Sequence, residues 1–227
     1  YLEISLEGIL SFEDFFTLEQ SVYYHQLAIN LLETIPSEML QKTSLNVDVA
    51  MLIPKMIDTN YWVTVDNQLM IPLGDTAYGA NIPKDYASEI YPADKMKTFS
   101  DCGFSIYKSK TIGGKYDHVS FQHQTQRGPH GHFDALSMTI SHQNVPFLVD
   151  SGGPYKYGEE FRFTYFMSNR AHNNIILNNN VHQSGAKNVI SSMPYENVYK
   201  IRAEHAGYDP IKVSRELFIF DQMGVLV

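Results

Sequence analysis

The feature that most constrains this chain is a change of hydrophobic rhythm near Cys102. Before it, apolar residues recur at helical spacing. Tyr24, Leu27, Ala28, Leu31, Leu32 and Ile35 fall at i, i+3, i+4, i+7, i+8 and i+11, one stripe of a helix that Pro36 ends. Leu45, Val49, Leu52 and Met56 repeat the spacing, with Pro54 expected to kink or end that second helix. After Cys102 the runs become short and β-rich, at 104–107, 119–123, 136–140, 145–149, 174–177, 198–203 and 213–220. Turn residues separate them, notably Gly113-Gly114, Gly152-Gly153-Pro154 and Asn178-Asn179-Asn180. Short strands without intervening helices predict an antiparallel β-sandwich. The expected organisation is a helical segment over 1–80 followed by a β-sandwich over 81–227, with a site in the cleft between them.

Composition removes several function classes. At 44% hydrophobic and 19% charged residues the chain is too apolar for a disordered segment, and Asp, Asn and Pro interrupt it too often for a membrane span. A single cysteine, Cys102, excludes an intramolecular disulfide and any cysteine-based zinc cage. A net charge of −8 argues against a nucleic-acid partner. That acidity is uneven: residues 1–100 hold 5 Lys/Arg against 14 Asp/Glu, whereas 101–190 hold 8 against 6. An acidic ligand is therefore compatible with the second region. The chain opens at Tyr1 without a signal-peptide pattern and stops in a strand-like run at Val225-Leu226-Val227, so it reads as a fragment of a longer protein.

Seven of the nine histidines lie between 118 and 182, most densely in Gly128-Pro129-His130-Gly131-His132-Phe133-Asp134-Ala135. Imidazole plus carboxylate is a donor set that suits zinc. His132, Asp150 and His172 come from three different runs, as a site stitching a sandwich together would need. The alternative is ordinary hydrogen-bonded histidines of core or surface. The His-x-His-x-Asp stretch also has a rival meaning, a metal-dependent hydrolase, but that motif continues with another His where this chain has Ala135. No Gly-x-Ser-x-Gly elbow is present, and Cys102 has no activating context, so a serine or cysteine nucleophile is not expected.

Five blocks, in order, resemble the heparinase II/III-like polysaccharide lyases, the family of heparinases and related alginate lyases. They are Glu19-Gln20-Ser21-Val22-Tyr23-Tyr24-His25, Met70-Ile71-Pro72-Leu73-Gly74-Asp75-Thr76, His130-Gly131-His132-Phe133-Asp134-Ala135-Leu136-Ser137, Pro146 to Gly153 with Tyr157 and Arg162 after it, and Tyr165 to Asn173. The chain departs from the family pattern at Phe15-Phe16, where Asp-Gly is usual, and at Asn174, where Thr is usual. The resemblance implies the C-terminal end of an (α/α) toroid followed by an antiparallel β-sandwich. It also implies β-elimination on a uronate-containing acidic glycan, a glycosaminoglycan or alginate, in a periplasmic or secreted setting.

The resemblance further implies residue roles. Tyr24 is the expected general base and His130 its partner in acid–base work or carboxylate neutralisation, with Tyr23 the runner-up base. A packed Tyr24 on the apolar stripe is the competing reading. His25, Arg162 and Tyr157 are expected to bind substrate, with Tyr155 a further subsite aromatic and a structural salt bridge the alternative for Arg162. His132, Asp150 and His172 are the expected ligands of a mainly structural zinc. Asp134 is expected to start a strand rather than support the metal. The alternatives are a catalytically silent acidic-glycan-binding or capsule-assembly protein, and the metal-dependent hydrolase.

Overall fold

The computed structural model describes residues 10–11, 13–36, 49–88, 90–124, 127–153, 156–181, 185–221 and 224–226. Leu45, Pro154, Tyr155 and His182 lie outside them, as does the side chain of Val49.

Two antiparallel sheets dominate. The first orders β3 (Met96–Phe99), β4 (Phe104–Lys110), β5 (Tyr116–Gln122), β6 (Met138–His142) and β7 (Val145–Leu148) as a meander. The second runs β11 (Gly224–Leu226), β10 (Ile211–Phe220), β9 (Val198–Tyr208), β8 (Lys187–Tyr195). A small ribbon, β1 (Leu10–Ser11) with β2 (Phe16–Thr17), precedes helices α1 (Val22–Glu33) and α2 (Val49–Thr59).

Turn chemistry sets the register of the first sheet. Gly114, at φ 75°, closes the β4–β5 hairpin, where the Thr111 amide donates to the Lys115 carbonyl at 2.7 Å. Gln143 and Asn144 both have positive φ, 50° and 65°, the two-residue turn whose twist matches a hairpin between His142 and Val145.

Alternation then buries both faces of that sheet. Phe104, Ile106 and Tyr116 pack with Phe16, Val22, Trp62, Val63 and Ile71 from the N-terminal half. Tyr107, Val119, Phe121 and Met138 pack with Ile201, Ala203, Val213, Leu217 and Ile219 of the second sheet. Each fully buried Phe or Ile contributes roughly 1.5–3 kcal/mol. The expected sandwich is present, and the N-terminal residues cover its outer face as a further layer.

The structure corrects several local expectations. α1 buries Val22, His25, Gln26, Ile29 and Leu32, whereas Leu27 and Leu31 are exposed. The buried face is rotated from the expected stripe, with His25 bonded inside to the Met56 carbonyl at 3.0 Å. α2 continues through Pro54, placing Leu52 and Met56 against Ile29 and Leu32. Residues 174–177 form no strand, and β3 and β8 arise where no run was predicted.

Candidate functional site

The site forms where three segments distant in sequence meet: the start of α1, the 70–76 passage and the 128–132 loop. Gly74, at φ 55°, lets the first two close on the third. A Cβ there would lie 2.3 Å from the Gln20 carbonyl oxygen and 2.4 Å from that of His130. The Asp75 amide donates to the His130 carbonyl at 2.8 Å, and the His130 amide to the Glu19 carbonyl at 3.2 Å. Thr76 supplies the cap that α1 lacks from Ser21. Its Oγ1 accepts from the Val22 and Tyr23 amides at 2.9 and 3.2 Å. The 70–76 passage thus fixes the helix turn that carries Tyr24.

Asp75 is the centre of this junction. Its side chain is fully buried and receives three partners: His130 Nδ1 at 2.9 Å, His132 Nε2 at 3.0 Å and Arg162 Nη2 at 2.6 Å. Burial pushes the Asp75 carboxyl up, but hydrogen bonds from His132, Arg162 and His130 outweigh it and hold the group well below the usual carboxylate range. An ionised carboxylate only accepts hydrogen bonds, so the network assigns protons to His130 Nδ1 and His132 Nε2.

Around His130 stand the reactive groups. The Tyr24 ring stacks on the imidazole with centroids 3.4 Å apart, and its hydroxyl donates to Tyr157 Oη at 3.0 Å. Glu19 Oε2 lies 3.4 Å from His130 Nε2. The Arg162 guanidinium covers the Tyr157 ring at 5.0 Å. Burial first, then the hydrogen bond with Tyr24 and the charge of Asp75, raises the Tyr157 hydroxyl far above the usual phenol range. Tyr23 is exposed, with its ring 5.7 Å from Tyr24.

A second group lies behind. His132 and His172 have ring centroids 5.2 Å apart. His172 Nδ1 is held by Asp150 at 2.9 and 3.0 Å, and burial lowers its affinity for a proton less than the Asp150 hydrogen bond and the Asp150 and Asp134 charges raise it. His132 Nδ1 and His172 Nε2 are both buried without hydrogen-bond partners. With the opposite nitrogen of each ring held by a carboxylate, these two atoms present lone pairs, the arrangement in which carboxylates orient metal-binding histidines. The donor chemistry fits a metal. As placed, Asp150 uses both oxygens on His172, and no group of three or more His, Cys, Asp or Glu among the described residues stands at metal-holding geometry. Asp134 is buried beside this pair and starts no strand, since β6 begins at Met138; burial raises its carboxyl, and Gln124 Nε2 donates to it.

The structure therefore brings Tyr24, His130, Tyr157 and Arg162 together and sets His132, Asp150 and His172 next to them. His25 is the exception and corrects the substrate-binding expectation. It is wholly inside the core, stacked on Phe16 at 4.3 Å, with Nε2 against the Met56 carbonyl at 3.0 Å. His118 and His123 follow the ordinary reading too, bonded to the Trp62 carbonyl at 2.8 Å and Ser105 Oγ at 2.8 Å. Asp75, Thr76 and Glu19 are the contributors to which the sequence attached no role, although all three sit inside resembling blocks.

Residues 92–227 match the family described as Heparinase II/III-like, C-terminal. No curated protein matches the sequence. Among solved structures, heparan sulfate lyase HepC from Pedobacter heparinus superposes with TM-score 0.78 at 14% identity, over 97% of this chain and 39% of that one. A heparinase III gene product with methylated lysines gives TM-score 0.75 at 17% identity, over 97% and 38%. Another structure, of heparinase III, gives TM-score 0.70 at 17% identity, over 95% and 40%. The chain spans about two fifths of the length of these proteins.

Proposed function

The chain belongs to the heparinase II/III-like family through its C-terminal domain, and from that premise we propose that it serves a polysaccharide lyase cleaving a uronate-containing glycosaminoglycan by β-elimination. The observation that carries this reading is the stack of Tyr24 on His130, with the Tyr24 hydroxyl 3.0 Å from Tyr157. Elimination removes the weakly acidic C5 proton beside the uronate carboxylate, forms the C4–C5 double bond and expels the 4-O-linked sugar. Tyr24 takes the C5 proton as phenolate. His130 and Arg162 offer positive charge to the uronate and the developing enolate. Tyr157, held neutral, donates a hydrogen bond to the phenolate. The protonated Tyr24 then returns its proton to the leaving oxygen, as a single base and acid in turn.

On this reading residues 1–80 are the tail of an (α/α) toroid and 81–227 the β-sandwich. His132, Asp150 and His172 are the residues that would hold a zinc ion, which would supply fixed positive charge, once Asp150 releases an oxygen from His172. The expected setting is periplasmic or secreted; no helix among the described residues is long and apolar enough to cross a membrane.

The test is incubation of the intact protein with heparan sulfate, heparin, hyaluronan, chondroitin and alginate, read by ultraviolet absorbance and product mass. A lyase yields a conjugated unsaturated uronate and fragments whose masses sum to the substrate. Fragments carrying an added water establish the hydrolase instead, and binding without cleavage establishes a silent glycan receptor.

A further inference from the structure

Asp75 lies 55 residues from His130 and 87 from Arg162 in sequence, yet one of its oxygens meets both of them. Its other oxygen meets His132 at 3.0 Å. With no exposed surface on its side chain, Asp75 does not itself reach a glycan. What it does reach are His130, on which Tyr24 stacks, and Arg162, which covers the Tyr157 ring. His130 keeps 22% of its side-chain surface exposed, and Tyr24 stacks on that ring.

We propose that Asp75 is a positioning residue: one buried carboxylate that orients His130 through Nδ1, so that the ring stays stacked under Tyr24 with Nε2 turned away from Asp75, and holds Arg162 in register with it. This deepens the lyase reading and rests on it. The geometry favours positioning over simple fold support for two reasons. First, all three partners are side chains rather than backbone groups of the core, and one of them, His130, keeps part of its ring exposed beside Tyr24. Second, the Asp75 amide is bonded to the His130 carbonyl at 2.8 Å, so ring and backbone of His130 are gripped by the same residue. Two attachments fix both the place and the rotation of the imidazole. Arg162 is half of the same device. Its guanidinium lies over the Tyr157 ring, so the link from Asp75 runs to both hydroxyls of the Tyr24–Tyr157 pair.

The experiment compares the intact wild-type protein with Asp75→Asn, which keeps shape but removes the charge and one acceptor. For a positioning residue, kcat on the cleaved glycan falls about 10–100-fold while KM rises by no more than about threefold. A rise in KM alone, or unchanged kcat, overturns the proposal. A second readout is independent of turnover: ¹⁵N histidine spectra, assigned with His130→Gln. The wild-type spectrum is expected to show His130 protonated at Nδ1, and Asp75→Asn to lose that preference. A bare Nδ1 in the wild type overturns the proposal even where Asp75→Asn fails to fold. Should no glycan be cleaved by the wild type, the lyase reading falls, and the spectra still decide whether Asp75 orients His130.

Discussion

Asp75 and Lys108 are both buried ions, one answered by side chains and the other largely by backbone. Lys108 Nζ is within reach of the Tyr61 and Thr64 carbonyls, the latter at 2.7 Å, and of Asn67 Oδ1 at 3.1 Å. The Tyr61 and Tyr116 rings flank it at 4.4 and 4.6 Å. It pins the 61–67 segment to β4. Burial pulls its ammonium down to about 7, with Asp66 opposing. Carbonyls fixed in a backbone cannot rearrange without moving the chain, so this is a fold contact. The partners of Asp75 are imidazoles and a guanidinium, of which His130 keeps part of its ring exposed beside Tyr24. In this molecule the identity of the partners separates a structural ion from one that organises a site.

That separation can be attacked in three ways. The largest effect is expected at the inner histidines. His132→Ala should lose bound zinc, while His130→Ala should keep it and lose activity, both read by metal analysis of purified protein. Equal loss in the two variants would merge what the structure holds apart. Next, Lys108→Met strands carbonyls in the core and should cost about 3 kcal/mol in denaturant unfolding while leaving zinc content unchanged. Zinc loss in that variant would break the distinction.

The third effect, seen only on acidification, is acid sensitivity away from Asp75. Burial lowers His25 to about 4 and His123 to about 4, and burial with the Lys108 charge lowers His118 to about 3. Unfolded, each binds a proton near pH 6.5. The unfolded state then holds more protons, so the stabilisation present above about 6.5 is lost as pH falls through that value toward 4. Each histidine contributes about 1.4 kcal/mol per pH unit in that window. His118→Asn should flatten the slope measured by urea unfolding between those limits. An unchanged slope would show that His118 is not a buried neutral group.

Much of the site was legible in the sequence because its residues sit in short blocks whose order survives. Tyr24, His130, Tyr157 and Arg162, named from those blocks, lie together in the structure. The β runs were legible from alternation and from turns such as Gly113-Gly114, in which Gly114 carries positive φ. What was not legible depended on pairing across long separations. Asp75 looks like any loop aspartate until His130, His132 and Arg162 arrive from other elements. His25 reads as a site residue beside Tyr24, yet a helix turns neighbours about 100° apart, which sends one ring to the cleft and the other to Phe16. The same rotation misplaced the α1 stripe: Leu27 and Leu31 looked buried, and the polar His25 and Gln26 are. β8 escaped notice because its sequence, with Asn188, Ser191, Ser192 and Pro194, shows no apolar–polar alternation.

The most direct measurement sets wild type against Tyr24→Phe in the ultraviolet assay on the glycan that the wild type cleaves. The ring that stacks on His130 is retained, and only the hydroxyl is removed. The expected result is loss of kcat by about 100-fold or more with KM little changed. Turnover by Tyr24→Phe at the wild-type rate would contradict Tyr24 as the base and remove the central claim.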